Sequence, residues 1–216
     1  MAGILVIAPH ALDEVLGCGG TMARHAEDGR AVDTLILFGD DSARGLLRHE
    51  AAPKAAAALG TNAPSFAGLP ENRSDTLPLV EVVGAVERAI AELAPEIVYL
   101  PHGGSLHIDH QTSFRAAMTA IRPVPKHPVR SIYAYEIVSS TEWAPRALGE
   151  PFSPTRFTDI ERTLDRKMRA LDCYAAEMRP SPHARSREGV IALAQNRGHS
   201  VGMAAAEAFM VLRELD

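Results

Sequence analysis

Short, unbroken apolar runs alternate with helical stretches along most of the chain, and this alternation constrains the fold more than any other feature. Residues 4–8 form a continuous apolar run of the kind a strand buried on both faces requires. From 14 to about 28 the apolar positions take a helical period, and Gly29 supplies a stop. A second strand is expected at 32–38 and an alanine-rich helix at 46–59, closed by Gly60. Residues 61–78 read as loop with a short strand near 64–67, followed by a helix at 79–93 and a third apolar run at 97–100. A polar loop at 101–109, a helix at 110–121 and a strand at 131–138 continue the order. Such β-α-β-α alternation predicts an α/β domain, a mostly parallel sheet with helices on both faces. Beyond 139 the pattern changes to a proline-punctuated loop at 141–157, a long amphipathic helix at 159–178, a shorter one at 188–197, and a segment at 205–212 that suits helix or strand. This is a C-terminal elaboration of a single domain.

Charge and composition exclude several classes. Against 27 acidic side chains there are 22 basic ones, a formal net charge of −5 with no basic stripe, so nucleic acid is not an expected partner. No apolar run approaches the roughly 20 residues of a membrane span. The start, MAGILVIAPH, lacks both a basic region and a cleavage site, so the reading is a soluble protein of the cytoplasm. Cys18 and Cys173 lie in apolar, helix-like surroundings and read as buried thiols rather than a disulfide.

In an open parallel sheet, ligands gather outside the carboxyl ends of the strands, where loops converge and helix N-termini aim their N–H groups. The residues after each apolar run therefore carry the most weight. They are His10-Ala11-Leu12-Asp13-Glu14, then Gly39-Asp40-Asp41, then the stretch from His102 that holds His107, Asp109 and His110. Imidazole nitrogen and carboxylate oxygen are what a catalytic zinc, or another divalent transition metal, takes as ligands. Three protein ligands leave one position open for chemistry. His10 and Asp13, three apart across a strand-to-helix turn, can aim at one point, with His107 or His110 as the third ligand. Asp13 and Asp109 suit equally well as caps of the helices that follow them. Taken alone H-x-x-D has little specificity, and the second cluster shifts the balance toward a metal. A dinucleotide site fails at the first turn, because G-x-G-x-x-G is absent and Gly17, Gly19 and Gly20 fall inside the helix, where they suit close packing.

IAPHALDEVLGCGGTMARH and LHIDHQ resemble the two metal motifs of the PIG-L/LmbE-like deacetylases, A-H-P-D-D-E-x-x-x-G-G and H-P-D-H-R or N-I-D-H-R. The likeness continues through ENRSDTLPL, YEIVSSTEW, PHARS and RGHSVGMAAAEAF, so residues 1–216 read as one such domain. It looks nearest to members associated with sugar and surface-polysaccharide metabolism. The resemblance implies a Rossmann-like fold and removal of an acyl group from an N-acylated amino sugar or related amide. Its metal ligands would be His10, Asp13 and His110, holding Zn²⁺ or a similar ion. The implied small-molecule partner is an N-acylated sugar or sugar conjugate.

One position departs from the family pattern. The general base is the first aspartate of H-P-D-D, and here that position is Leu12. Zinc lowers the pKa of a bound water to about 7, so a nucleophile exists without a protein base. General-base assistance is nevertheless worth about 10²–10⁴-fold. Asp109 is the first candidate substitute, with a second role as the carboxylate that orients a histidine, and Asp40 and Asp41 come next. His107 is expected to stabilise the oxyanion or protonate the departing amine. Glu14 suits a helix N-terminus as well as a catalytic role. Asn72, Arg73, His183 and Arg185 are candidate substrate contacts, with surface salt bridges the plainer role for the arginines. Trp143 is expected to stack on a sugar or to pack the C-terminal segment. The alternative to an enzyme is a non-catalytic metal- or sugar-binding relative that lost its base at Leu12. A sheet edge or the C-terminal segment is the candidate surface for a homo-oligomer.

Overall fold

The structure, a computed structural model, describes residues 3–216; Met1 and Ala2, the start of the amino-terminal stretch read above, lie outside the described residues. Seven strands form one sheet: β1 (Ile4–Ala8), β2 (Val32–Gly39), β3 (Ser65–Pro70), β4 (Ile97–Pro101), β5 (Ser131–Tyr135), β6 (Arg156–Asp159) and β7 (Ala206–Glu214). Their spatial order is β3-β2-β1-β4-β5-β7-β6. The first five strands pair in parallel, while β7 runs antiparallel to both β5 and β6. Six helices cover the sheet: α1 (Asp13–Glu27), α2 (Ala43–Leu59), α3 (Leu79–Leu93), α4 (Ile108–Ala120), α5 (Leu164–Cys173) and α6 (Arg187–His199). The expected Rossmann-like, mostly parallel α/β architecture is what the chain adopts.

Period-two alternation explains why β1 is apolar throughout. Ile4, Val6 and Ala8 enter a core shared with residues of α1, α2 and α5, whereas Leu5 and Ile7 enter one shared with α3 and α4. Among the described residues, no helix is long and apolar enough to cross a membrane.

Some boundaries differ from the sequence expectation. The helix expected over 159–178 is helical only in α5, because β6 runs to Asp159 and a turn follows in which the Thr163 hydroxyl donates to the Gly20 carbonyl (2.8 Å). The strand expected to reach 138 stops at Tyr135, and the next residues bend into the wall of a cavity. The ambiguous stretch at 205–212 is strand, the bridge between β5 and β6. Cys18 is buried as expected, but Cys173, at the end of α5, is only half-buried; both are free thiols.

Helix α1 is broken at Cys18, whose φ of −144° and ψ of 20° are non-helical. A break strands backbone groups that must find partners. The buried Lys167 ammonium donates to the Leu16 carbonyl (2.8 Å) and to Glu207 (2.7 Å), and Glu207 accepts the N–H groups of Gly20 (2.9 Å) and Thr21 (2.7 Å). One buried ion pair thus caps both halves. The glycines allow the broken helix to lie close. A Cβ on Gly17 would sit 2.1 Å from the Tyr135 ring, and one on Gly20 would sit 2.8 Å from Ile160. We predict that Lys167→Met, which leaves the Glu207 carboxylate buried without its cation, destabilises the protein by about 3–5 kcal/mol in denaturant unfolding.

Candidate metal centre

In the order β3-β2-β1-β4-β5, chain direction reverses its spatial course between β1 and β4, the point where ligands collect in such sheets. The loops leaving these two strands bring the candidate residues together. After β1 the chain turns into α1 through Leu12, whose φ of 107° lies where glycine is favoured and costs a larger residue on the order of 1–3 kcal/mol. That turn brings Asp13 under His10. The Asp13 Oδ2 accepts the His10 backbone N–H (3.0 Å), and the Asp13 N–H donates to the His10 carbonyl (3.2 Å). After β4 the loop ends at His107, whose Nδ1 accepts the Asp109 N–H (3.1 Å) and so caps α4. The first turn of α4 carries Asp109 and His110.

Asp13 Oδ2 lies 3.0 Å from His10 Nδ1 and 3.3 Å from His110 Nε2, and one ligand atom from each residue falls within 4.8 Å of the others. All three side chains are buried. The remaining nitrogens are held from behind. His10 Nε2 is 2.8 Å from Asp109 Oδ2, and His110 Nδ1 is 2.9 Å from the Ser105 hydroxyl, itself 2.7 Å from Ser140 Oγ. This is how proteins fix the tautomer of a metal-ligating imidazole. His10, His107 and Asp109 make a second compact grouping. It is the poorer cation site, because Asp109 already accepts the N–H groups of Asn72 (2.7 Å) and Ser74 (3.3 Å) as well as His10.

The electrostatics fit a cation. Burial disfavours a charged His10, yet its hydrogen bonds to Asp109 and Asp13 prevail and raise its pKa to about 9. Burial likewise opposes ionisation of Asp13, but His110 and His10 hold it well below the usual carboxylate range. Asp109, opposed by burial and favoured by His10 and Ser74, falls to about 2. Two buried carboxylates therefore flank His10. Two imidazole nitrogens and one carboxylate oxygen are a donor set for zinc or a similar divalent ion, so the residues present fit such a group. Burial, reinforced by His10 and His110, lowers the His107 pKa to about 4, which makes it a neutral ring. Burial raises Glu14 to about 7; it accepts the Tyr174 hydroxyl (2.7 Å) and the Leu12 N–H (2.9 Å), a structural post at the helix start.

The cavity over this centre is lined by Leu12, Asn72, His107 and Arg185, among others. It does not include every expected residue. Asp109 is fully buried behind His10 with its oxygens engaged, which corrects its first expected role and leaves the orienting one. Asp40, Asp41 and Arg73 line a neighbouring depression between β2 and β3, because the chain after β2 swings away toward α2. Trp143 is half exposed and meets His183 edge-on at 5.4 Å between ring centroids, outside the cavity lining. Sequence reasoning missed Arg44, Arg48, Glu71 and Glu177 on the walls, since they come from α2, the end of β3 and the turn after α5, with no shared local motif.

Fold and site together define a parallel α/β domain with a two-histidine, one-aspartate centre at its switch point. The chain belongs to the PIG-L family, whose model, described as GlcNAc-PI de-N-acetylase, matches residues 5–121. It is 32% identical over 145 residues to the uncharacterized deacetylase YaiS of Escherichia coli strain K12, covering 64% of this chain and 75% of that one. It is 26% identical to the 1D-myo-inositol 2-acetamido-2-deoxy-alpha-D-glucopyranoside deacetylase of Rhodococcus erythropolis, over 83% of this chain and 82% of that one. In fold it is similar to the N,N'-diacetylchitobiose deacetylase of Pyrococcus horikoshii (TM-score 0.79, 18% identity, 98% and 84% covered). It is equally similar to the 4-carboxy-2-hydroxymuconate hydratase GalB of Pseudomonas putida KT2440 (TM-score 0.79, 22% identity, 100% and 98% covered), so the fold by itself does not fix the reaction.

If the three residues share one cation, His110→Ala abolishes stoichiometric zinc binding in equilibrium dialysis. Ser105→Ala, which only frees the back of His110, weakens it by about 10–100-fold. Full zinc occupancy in His110→Ala would contradict the centre.

Proposed function

We propose that the protein is a metal-dependent hydrolase that removes an acyl group, most simply acetyl, from an N-acylated amino sugar, with residues 1–216 acting as one domain. The observation that carries this reading is the convergence of His10 Nδ1, Asp13 Oδ2 and His110 Nε2 at the switch point of a PIG-L family fold. The name of the Rhodococcus relative, a deacetylase of an acetamido sugar, supports the substrate class. Zinc or another divalent ion held by those three atoms would supply Lewis acidity and an activated water at neutral pH.

The chain's own residues account for the rest of the chemistry. Asp109 keeps a proton on His10 Nε2 and leaves Nδ1 free to bind. Ser105 performs the same service for His110. Because His107 Nδ1 accepts a backbone N–H, its proton sits on Nε2, and the ring is neutral. It serves as a donor to the carbonyl oxygen as negative charge develops, a contribution worth about 10²–10³ in rate for comparable donors. It is a poor proton source for the departing amine, since giving up that proton would leave an anion.

Leu12 stands where the family pattern has its base. It is buried, lines the cavity and offers no proton acceptor. Besides Asp13, the cavity carboxylates are Glu71 and Glu177, and each is paired with an arginine. Hydrolysis here would therefore depend on the activation that an ion held by His10, Asp13 and His110 would supply, without a carboxylate at position 12, at a cost of about 10²–10⁴ in rate.

Leu12 also favours a second reading, a relative that binds metal and sugar without turnover. Acetate release and appearance of a primary amine, followed over a panel of free and nucleotide-linked N-acetyl sugars, separate the two. The hydrolase reading predicts slow turnover that His110→Ala abolishes and Leu12→Asp raises on the order of 100-fold. No turnover by the native protein, with activity appearing only in Leu12→Asp, would decide for the binding relative.

A further inference from the structure

Three guanidinium groups line the cavity, and they are not equivalent. Arg44 places its Nε and Nη2 on the two oxygens of Glu177, 2.5 Å each. Arg48 engages both oxygens of Glu71 in the same forked way. Arg185 has no such partner. Its Nη1 lies 3.8 Å from Glu177 Oε2, beyond hydrogen-bond distance, and Arg44 already occupies both oxygens of that carboxylate. Its Nε is buried and makes no hydrogen bond. A buried N–H without an acceptor is costly, and water or a bound group is what ordinarily answers it.

The backbone holds Arg185 in place. Its N–H donates to His183 Nδ1 (3.0 Å), its carbonyl accepts the Arg179 N–H (3.3 Å), and the next residue, Ser186, caps α6 through the Gly189 N–H (2.9 Å). Charge points the same way. Glu177 is held in a fork by Arg44 and Glu71 by Arg48, and Asp13 sits among the imidazoles, so Arg185 shares Glu177 only at 3.8 Å and is the guanidinium on the wall whose fork no carboxylate fills. A planar guanidinium fork suits a carboxylate or a phosphate.

We propose that Arg185 clamps an anionic group, carboxylate or phosphate, carried by the ligand, so that the amino sugar this cavity accepts is an acidic one. The sugar and its acyl group rest on the hydrolase reading above; the anion rests on Arg185 alone.

Binding of deacylated sugars to the zinc-loaded protein tests this without requiring turnover. In calorimetry, glucosamine is compared with glucosamine 1-phosphate, glucosamine 6-phosphate and muramic acid, which carries a carboxylate. At least one acidic sugar is expected to bind about tenfold or more tightly than glucosamine, the low end for a charge-assisted pair. Whether phosphate or carboxylate gives the gain identifies the group. Arg185→Met is expected to remove the preference, and Arg185→Lys, which keeps the charge and loses the fork, to retain part of it. Equal binding of all four sugars by the native protein overturns the proposal, as does a preference that survives Arg185→Met unchanged, since the ion rather than Arg185 would then hold the anion. If the Met variant fails to fold, as read by thermal melting, the Lys variant carries the comparison, and an undiminished preference there is equally adverse. Absence of turnover would defeat the hydrolase reading and leave this result standing.

Discussion

The carboxylate of Asp109 ties three strand ends into one site. Through Oδ2 it holds His10 in the loop after β1 and the Asn72 N–H in the loop after β3, and through Oδ1 it takes the Ser74 N–H, while its own backbone starts α4 after β4. A fully buried acid is stable only when its oxygens are satisfied, and here each is. His10 is consequently fixed from behind with its Nδ1 turned to Asp13. Asp13, which faces both His10 and His110, is the other link between the two histidine-bearing loops.

A second constraint acts from the far side of Asp13. The short first half of α1 that carries this residue is held by Lys167 on the Leu16 carbonyl, while Glu207 restarts the helix beyond Cys18. Glycines at 17 and 20 let this broken helix approach Tyr135 and Ile160 closely. Strain at Leu12 belongs to the same arrangement, since the turn that pairs His10 with Asp13 is one an L residue adopts at a cost. On the cavity wall, forked arginine–glutamate pairs fix the polar lining, and Arg185 reaches Glu177 only at 3.8 Å. The centre and the wall are thus built by different means, a ligand cluster from adjacent loops and a charge pattern from distant elements.

How much was legible in the sequence follows from the range of each interaction. β1 and α3 coincide with their expected bounds, because burial on two faces and a helical stripe leave a direct imprint on residue order. The amphipathic period over 159–178 misled, since a turn and a short strand can carry the same spacing of apolar residues. β6 went unseen because its four residues are only half-buried and its pairing with β7 is long-range. His10 and Asp13 were legible as residues of one rim, the third position stayed open between His107 and His110, and only the family resemblance implied His110. Asp40 and Asp41 were weighed for the same rim by strand order, but the chain after β2 turns them into another depression.

By itself the sequence determined the α/β alternation, the family resemblance and the residue types at the strand ends, because each is written in local pattern. Tertiary structure alone decided that Asp109 stands behind His10 rather than over the cavity, that Leu12 leaves no acceptor there, and that Arg185 has no forked carboxylate partner. Those outcomes depend on how backbone N–H groups and counter-charges far apart in the chain are shared out, as between Asn72 and Asp109 or between Arg44 and Glu177, and no local rule of sequence sets that division.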